Sequence, residues 1–351
     1  MSYRVLVAKQ VLQLIALIQR YVTGMIGFDS LSNQFLLGVK NMLDISLLGT
    51  GGMMPIIGRY LTSLYMQING SAILVDCGEG TQLALRNAGR SSKDIDVICI
   101  THFHADHISG LPGLMLLMGN QGKTSPLTII GPVGLERIVK SLLVIAPVLP
   151  YEVKFIEIDG NVLDLPLSEL NADKFSQLRL RAFKVQHKVV CYGYTLELSR
   201  LPKFDIAKAQ ALNIDRRFYG KIQHGETVTV NNKTYTPDMV MGEARKGIKV
   251  TYCTDTRPCK SLMDNVKDSD LFICEAMYFD PDKMKDAVEK RHMMLFEATE
   301  IAKNKNVKAL WLTHFSPSEP KPREYVEVAR EQFENTLIPK DGQTIELNFE
   351  N

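Results

Sequence analysis

Seven histidines stand in the 351-residue chain, at 102, 104, 107, 187, 224, 292 and 314. Three of them fall in one short run, Thr101-His-Phe-His-Ala-Asp-His107. An isolated histidine is ordinarily a satisfied core or surface residue, but three with an aspartate at this spacing read as a metal site. Imidazole suits zinc, and a carboxylate completes or bridges such a site. His102 and His104 are two apart, so extended backbone turns both rings to one side. Asp106 and His107 then enter a helical turn and face a second point. Further along, His187 ends an apolar strand, Asp255 follows another in Thr251-Tyr-Cys-Thr-Asp-Thr256, and His314 follows a third in Leu312-Thr-His-Phe315. A carboxylate shared by two metals keeps them roughly 3.5–4 Å apart. His224, beside Gly225 in a basic segment, is read as a surface residue and not as a ligand.

Ligands at strand ends need strands to anchor them, and the sequence alternates accordingly. Leu43–Leu48, Thr62–Gln67, Ala72–Val75, Asp96–Thr101, Leu127–Ile130, Phe155–Ile158, Leu178–Val185 and Tyr192–Leu198 read as strands. So do Lys249–Cys253, Leu271–Cys274 and Ala309–Thr313, the last carrying Trp311 as strand core. Thr81–Asn87, Leu111–Met118, Glu136–Val144, 284–289 and 295–303 read as helices. Strand and helix mixed throughout indicate α/β layers. Gly49-Thr-Gly-Gly52 lacks the Lys-Ser/Thr of a nucleotide cradle, so its glycines are expected to let backbone approach the metal cleft.

Composition sets the frame. With 45% hydrophobic and 23% charged residues the chain is globular rather than disordered or fibrous. The formal net charge of +2 announces no global affinity for polyanions, so such a claim must rest on a local patch. Residues 200–249 supply one, with ten Lys+Arg against five Asp+Glu. The six cysteines contain no C-x-x-C pair, and in the absence of a signal peptide they read as reduced thiols of a cytoplasmic protein. Residues 1–41 carry Val7, Val11, Leu14, Ile18 and Val22 at helical spacing, but Gln13, Gln19 and Arg20 interrupt the run. They are expected to be an N-terminal extension outside the catalytic unit, with no membrane span. Residues 42–351 form that unit.

The H-x-H-x-D-H run, a lone His187, Asp255 and His314 together resemble the metallo-β-lactamase superfamily. Gly49–Gly52, Asp76-Cys-Gly-Glu-Gly-Thr-Gln82, Leu111-Pro-Gly-Leu114, Gly193-Tyr194, Asp255-Thr-Arg257 and Leu312-Thr-His-Phe-Ser316 narrow the resemblance to ribonuclease Z, the family of tRNA 3′-processing endonucleases. These landmarks run in order through residues 42–320. The resemblance implies an α/β fold, a four-layer αββα sandwich with a projecting basic arm at about 200–249. It implies one zinc on His102, His104 and His187, a second on Asp106, His107 and His314, and Asp255 between them, with manganese the alternative metal. It further implies attack on phosphorus by metal-activated hydroxide oriented by Asp106. His292 would act as general acid for the leaving oxygen, with Glu275 orienting it. Precursor tRNA is the implied partner, and a homodimer the implied assembly.

The chain also departs from the family pattern. The glycine–proline segment of the arm is replaced by Asn213–Gly225, where Arg216, Arg217 and Lys221 are the candidate RNA contacts. Ser316-Pro-Ser-Glu-Pro320 replaces a serine–x–arginine–tyrosine tail, His292-Met-Met294 a histidine–serine–threonine run, and Gly58-Arg-Tyr60 a basic–arginine–asparagine loop. Every metal ligand is retained. The rival readings are a small-molecule phosphodiesterase, thioesterase or lactonase on the same fold, and a non-catalytic, metal-stabilised RNA-binding protein.

Overall fold

Side chains on a strand alternate between two faces, and here each face meets a different core. In Leu271-Phe-Ile-Cys-Glu275, Leu271 and Ile273 enter one apolar cluster and Phe272 and Cys274 another. In Leu310-Trp-Leu-Thr313, Trp311 joins the first cluster and Leu310 and Leu312 the second. Such two-sided strands require a layer on each side.

The computed structural model describes residues 42–350 apart from Pro147 and His224, so the expectations for residues 1–41 and for His224 lie outside the described residues. Its strands are β1 (Met42–Gly49), β2 (Ser63–Ile68), β3 (Ser71–Val75), β4 (Ile95–Cys99), β5 (Leu127–Pro132), β6 (Val153–Ile158), β7 (Val162–Pro166), β8 (Leu178–Lys184) and β9 (Tyr192–Arg200). They continue with β10 (Val228–Val230), β11 (Lys233–Tyr235), β12 (Arg245–Cys253), β13 (Leu271–Glu275), β14 (Leu310–Thr313), β15 (Thr336–Leu337) and β16 (Gln343–Asn348). One seven-stranded sheet runs β16-β1-β2-β3-β4-β5-β6 and the other β15-β14-β13-β12-β9-β8-β7. Each is antiparallel on one side and parallel on the other, the parallel runs being β3 to β6 and β12 to β15.

The central core joins the two sheets, with Leu43, Ile45, Val75 and Val97 from one meeting Leu180, Tyr194, Val250 and Ile273 from the other. Helices cover the outer faces. Leu111, Leu114, Met115 and Met118 recur at helical spacing and pack on the first sheet. Leu295, Ala298, Ile301 and Ala302 do the same on the second. The αββα sandwich is therefore present, and Trp311 is buried between its sheets. All six cysteines are free and five are buried, which makes them small apolar groups of the core. Among the described residues no helix is long and apolar enough to cross a membrane.

The sequence pattern does not assign β7, β10, β11, β15 or β16, and two differences bear on the fold. β16 pairs antiparallel with β1, from Met42 opposite Asn348 to Leu47 opposite Gln343, and closes the edge of the first sheet. The patterning does not assign it, because only distant pairing makes this half-exposed hexapeptide a strand. The basic segment also resolves differently. The chain leaves the second sheet at Arg200 and re-enters it at Arg245, which face each other across β9 and β12. Residues 201–244 between them hold their own small core of Ala209, Ile214, Ile222, Val228 and Val240. They carry six Lys+Arg against five Asp+Glu. The positive excess belongs to the root, where Arg179, Arg200, Arg245, Lys246, Lys249 and Lys267 line a groove of about 750 Å³.

Candidate metal centre

The parallel halves of both sheets end at the site. His102 and His104 lie just past β4, Asp255 past β12 and His314 past β14, while His187 follows β8 and Glu275 ends β13. Register sets their level: Cys253 pairs with Cys274, and Glu275 with Thr313, so Asp255, Glu275 and His314 arrive side by side. Asp106 and His107 sit in the short helix Ala105–Ile108. Asp255 (φ 53°) and His314 (φ 57°) are in the left-handed region, as is Asp76 (φ 60°) after β3. For a residue other than glycine this conformation costs on the order of 1–3 kcal/mol, and such strain gathers at functional sites.

The seven predicted ligands converge. His102, His104, His187 and Asp255 form one group and Asp106, His107 and His314 another, with potential ligand atoms within 4.8 Å of each other in each. Asp255 serves both. Its Oδ2 lies 3.6 Å from His102 Nε2 and 3.7 Å from His187 Nε2, and its Oδ1 lies 3.2 Å from His107 Nε2 and 3.1 Å from His314 Nε2. Asp106 Oδ2 lies 3.3 Å from His314 Nε2 and 3.5 Å from His107 Nε2. His104 alone of the seven is open to solvent.

The donor set fits metal ions. Ring nitrogens face each other at 2.9 Å between His102 and His104 and at 3.2 Å between His107 and His314, which requires a shared proton or a shared cation. His187 Nε2 and Asp255 Oδ1 are buried without a hydrogen-bond partner, an expensive state unless something else is bound there. Burial, reinforced by neighbouring imidazoles, pushes the His102 pKa well below its ordinary value, and burial lowers His104 and His187 too. That keeps them in the neutral form a metal needs. Burial opposes ionisation of Asp106 and Asp255, but the facing histidines outweigh it and hold both below the usual carboxylate range.

A further set of residues orients the ligands. Asp76 Oδ1 accepts from the Thr101 backbone N–H at 2.8 Å, and Asp76 Oδ2 accepts from His107 Nδ1 at 2.8 Å. Thr101 Oγ1 lies 3.0 Å from both Asp76 oxygens and 3.0 Å from His102 Nδ1. One buried carboxylate thus fixes a ring from each group with Nε2 free, the tuning that metal-bound histidines ordinarily receive. His187 Nδ1 donates to the Arg291 carbonyl at 3.3 Å, and Arg291 Nη1 donates back to the His187 carbonyl at 2.6 Å. Sequence reasoning assigned no role to Asp76, Thr101 or Arg291. The available signal was Asp76 directly after an apolar strand, the position occupied by Asp255 elsewhere in the chain.

His292 lies beside the cluster. Its Nδ1 is 3.0 Å from Glu275 Oε2, and Glu275 Oε1 accepts from the Thr256 backbone N–H at 2.5 Å. Burial disfavours the imidazolium, but Glu275 outweighs it and raises the His292 pKa to about 9. Gly52 confirms the expected close approach: a Cβ there would lie 2.7 Å from the His314 ring. Arg216, Arg217 and Lys221 lie outside the cluster, exposed on the 201–244 segment.

Two sheets delivering histidines and a shared aspartate to one edge define a metal-dependent hydrolase of the metallo-β-lactamase fold. Solved structures agree on the fold: human tRNase Z, short form, aligns at TM-score 0.61 and 23% identity over 86% of this chain and 98% of its own. A metallo-β-lactamase fold protein, YhfI from Bacillus subtilis, aligns at 0.61 and 18% over 87% and 99%. A family model described as anti-Pycsar protein Apyc1 matches residues 43–200. Among curated relatives, ribonuclease Z of Lachnospira eligens is 52% identical over 88% of this chain and 99% of its own, and that of Clostridium acetobutylicum 49% identical over 88% and 100%. The chain belongs to the ribonuclease Z family.

Proposed function

We propose that this chain is an endoribonuclease that removes the 3′ trailer from precursor tRNA, leaving a 3′-hydroxyl on the tRNA and a 5′-phosphate on the trailer. The observation that carries the reading, beside family membership, is the division of Asp255: one oxygen faces His102 and His187, the other His107 and His314. His102, His104 and His187 would hold one divalent ion, Asp106, His107 and His314 another, with Asp255 shared. The nitrogen-rich donor set favours zinc, with manganese the alternative. Ions bound by these residues would lower the pKa of water and offset charge on the phosphate.

The chain's own groups move the protons. Asp106, held ionised and fixed by the Met53 backbone N–H at 2.7 Å, accepts a hydrogen bond from the attacking water and orients it. His292, charged through Glu275, gives a proton to the 3′-oxygen as the P–O bond breaks. A positioned acid or base of this kind is worth roughly 10²–10⁴-fold in rate.

The arm at 200–249 is the docking element for the tRNA body, and the working assembly is a homodimer in the cytoplasm. The arm's root supports this. β12 rises about 3.3 Å per residue, which puts Arg245 roughly 25 Å from Cys253 at the metal edge. An arm rooted at the far end of its own sheet suits the cleft of a second copy. The test is purified, metal-reconstituted protein on a labelled precursor tRNA and on bis(p-nitrophenyl) phosphate. Cleavage of the precursor at the trailer junction is expected. Hydrolysis of the small ester alone would favour a small-molecule phosphodiesterase.

A further inference from the structure

Arg257 follows Asp255 by two residues, and no step above uses it. Its Nη1 donates to the His292 carbonyl oxygen at 2.7 Å and to Glu297 Oε2 at 2.7 Å, and its Nη2 pairs with Glu297 Oε1. Its backbone N–H donates to the carbonyl of Gln186, the residue before His187, at 3.1 Å. Glu297 Oε2 also accepts from the Met294 backbone N–H at 2.9 Å, at the start of helix Leu295–Asn304. One residue therefore ties the Asp255 loop to the His187 loop and to the backbone of His292.

The link is rigid. The two side chains are only 15% and 12% exposed, and a planar guanidinium forked onto a carboxylate has one geometry. The metal ligands have other tethers. Thr256 N–H to Glu275 holds the Asp255 loop, and the reciprocal Arg291–His187 bonds hold the His187 loop. Besides its Nδ1 bond to Glu275, His292 has the backbone bond of its own N–H to the Ala287 carbonyl at 2.9 Å and the Arg257 bond to its carbonyl. The Arg257 side chain bonds only the His292 carbonyl and Glu297, whereas its link to the His187 loop is a backbone N–H that a lysine keeps, so losing the guanidinium loosens His292 and leaves the ligand loops tied.

We propose that Arg257, locked by Glu297, is a positioning residue for proton donation: it sets the His292 ring against the scissile phosphate. This rests on the reading of His292 as the general acid. The test compares the full-length, metal-loaded wild type with Arg257→Lys, Glu297→Gln and His292→Ala. Each is assayed for metal content, for kcat and KM on precursor tRNA, and for hydrolysis of bis(p-nitrophenyl) phosphate. The nitrophenolate leaves with little need of a proton, whereas the ribose oxygen needs one.

Arg257→Lys is expected to keep its metal and its KM while losing roughly 10–100-fold in kcat on precursor tRNA, a loss of the size seen when an outer partner that orients a metal ligand is removed. The nitrophenyl ester should lose only a small part of that. Glu297→Gln, nearly isosteric, should show the same split more weakly, and the double variant should be no worse than Arg257→Lys. Equal losses on both substrates, or loss of metal, would overturn the proposal and make Arg257 a structural brace. His292→Ala separates the two levels. If it too affects both substrates equally, the acid reading fails; if only His292→Ala splits them, the positioning role alone fails.

Discussion

Asp255 is where one side chain decides most, because each of its oxygens faces a different group of histidines. On the proposed assignment, replacing it by alanine removes a ligand from both sites at once and leaves the two groups as uncompensated donors. Metal analysis of Asp255→Ala should fall from near two ions per chain towards none, while His104→Ala, at the open side, should lower only one. A tightly held ion in Asp255→Ala would show that the carboxylate serves one site. On the proposed mechanism His292 carries the pH dependence. Its charge is maintained by Glu275 against burial, with a pKa raised to about 9. An acid works while protonated, so cleavage should hold below that pKa and decline as pH rises through it. Glu275→Gln removes the main group that opposes burial and leaves only the more distant Asp255 and Asp106, so the decline should move to lower pH in a single-turnover rate profile. A limb that stays in place would mean another group donates the proton.

At the scale of elements, the site is a consequence of parallel strands ending together. β3 and β4 deliver Asp76 and His102 from the first sheet, and β12, β13 and β14 deliver Asp255, Glu275 and His314 from the second. This is why so much was legible in the sequence: each candidate ligand follows an apolar run long enough to read as a buried strand, or sits with His102 in the one uninterrupted motif that ends at His107. What was not legible depends on tertiary pairing. β16 has no apolar run of its own, and Asp76, Thr101, Arg291 and Arg257 act through partners that only the folded chain brings within reach. The charge of the arm misled for a related reason. A window of sequence cannot tell a segment from its root, and the cations of Arg200, Arg245, Lys246 and Lys249 belong to strand ends. The turn at Gly52 gives the element-scale prediction. A Cβ would press on the His314 ring at 2.7 Å, and overpacking of this kind costs roughly 1–3 kcal/mol. Gly52→Ala should stay folded, with a modestly lowered melting temperature, and lose the ion held by Asp106, His107 and His314 before the other. Full occupancy of both sites would show that the loop yields instead.

Over the whole molecule, the question is where a large polyanion gains its affinity, since the net charge of +2 gives no general attraction. Each phosphate neutralised by a lysine or arginine releases counterions, so binding weakens with salt at a slope set by how many phosphates are neutralised. Two sets of residues can supply the cations. Arg216, Arg217 and Lys221 are exposed on the arm, but Arg217 is paired with Asp215 at 3.1 Å and the 201–244 segment is almost charge-balanced. The root gathers Arg179, Arg200, Arg245, Lys246, Lys249 and Lys267 around one groove that Glu197 and Asp268 also line, with Arg179 paired to Asp164 at 2.5 Å and Lys246 to Asp270 at 3.2 Å. The contrast makes a two-armed measurement: precursor tRNA affinity over a salt series for Arg216→Ala/Arg217→Ala/Lys221→Ala and for Arg179→Ala/Lys246→Ala/Lys267→Ala. If the arm alone docks the tRNA, only the first triple variant weakens binding and flattens the slope. If the root shares the task, both do, and the second flattens it by about one unit for each phosphate it no longer neutralises. Both sets lie outside the metal ligands, so hydrolysis of bis(p-nitrophenyl) phosphate should survive in each. Unchanged affinity and slope in both variants would remove electrostatic docking from this face of the molecule and return recognition to the rim of the metal cleft.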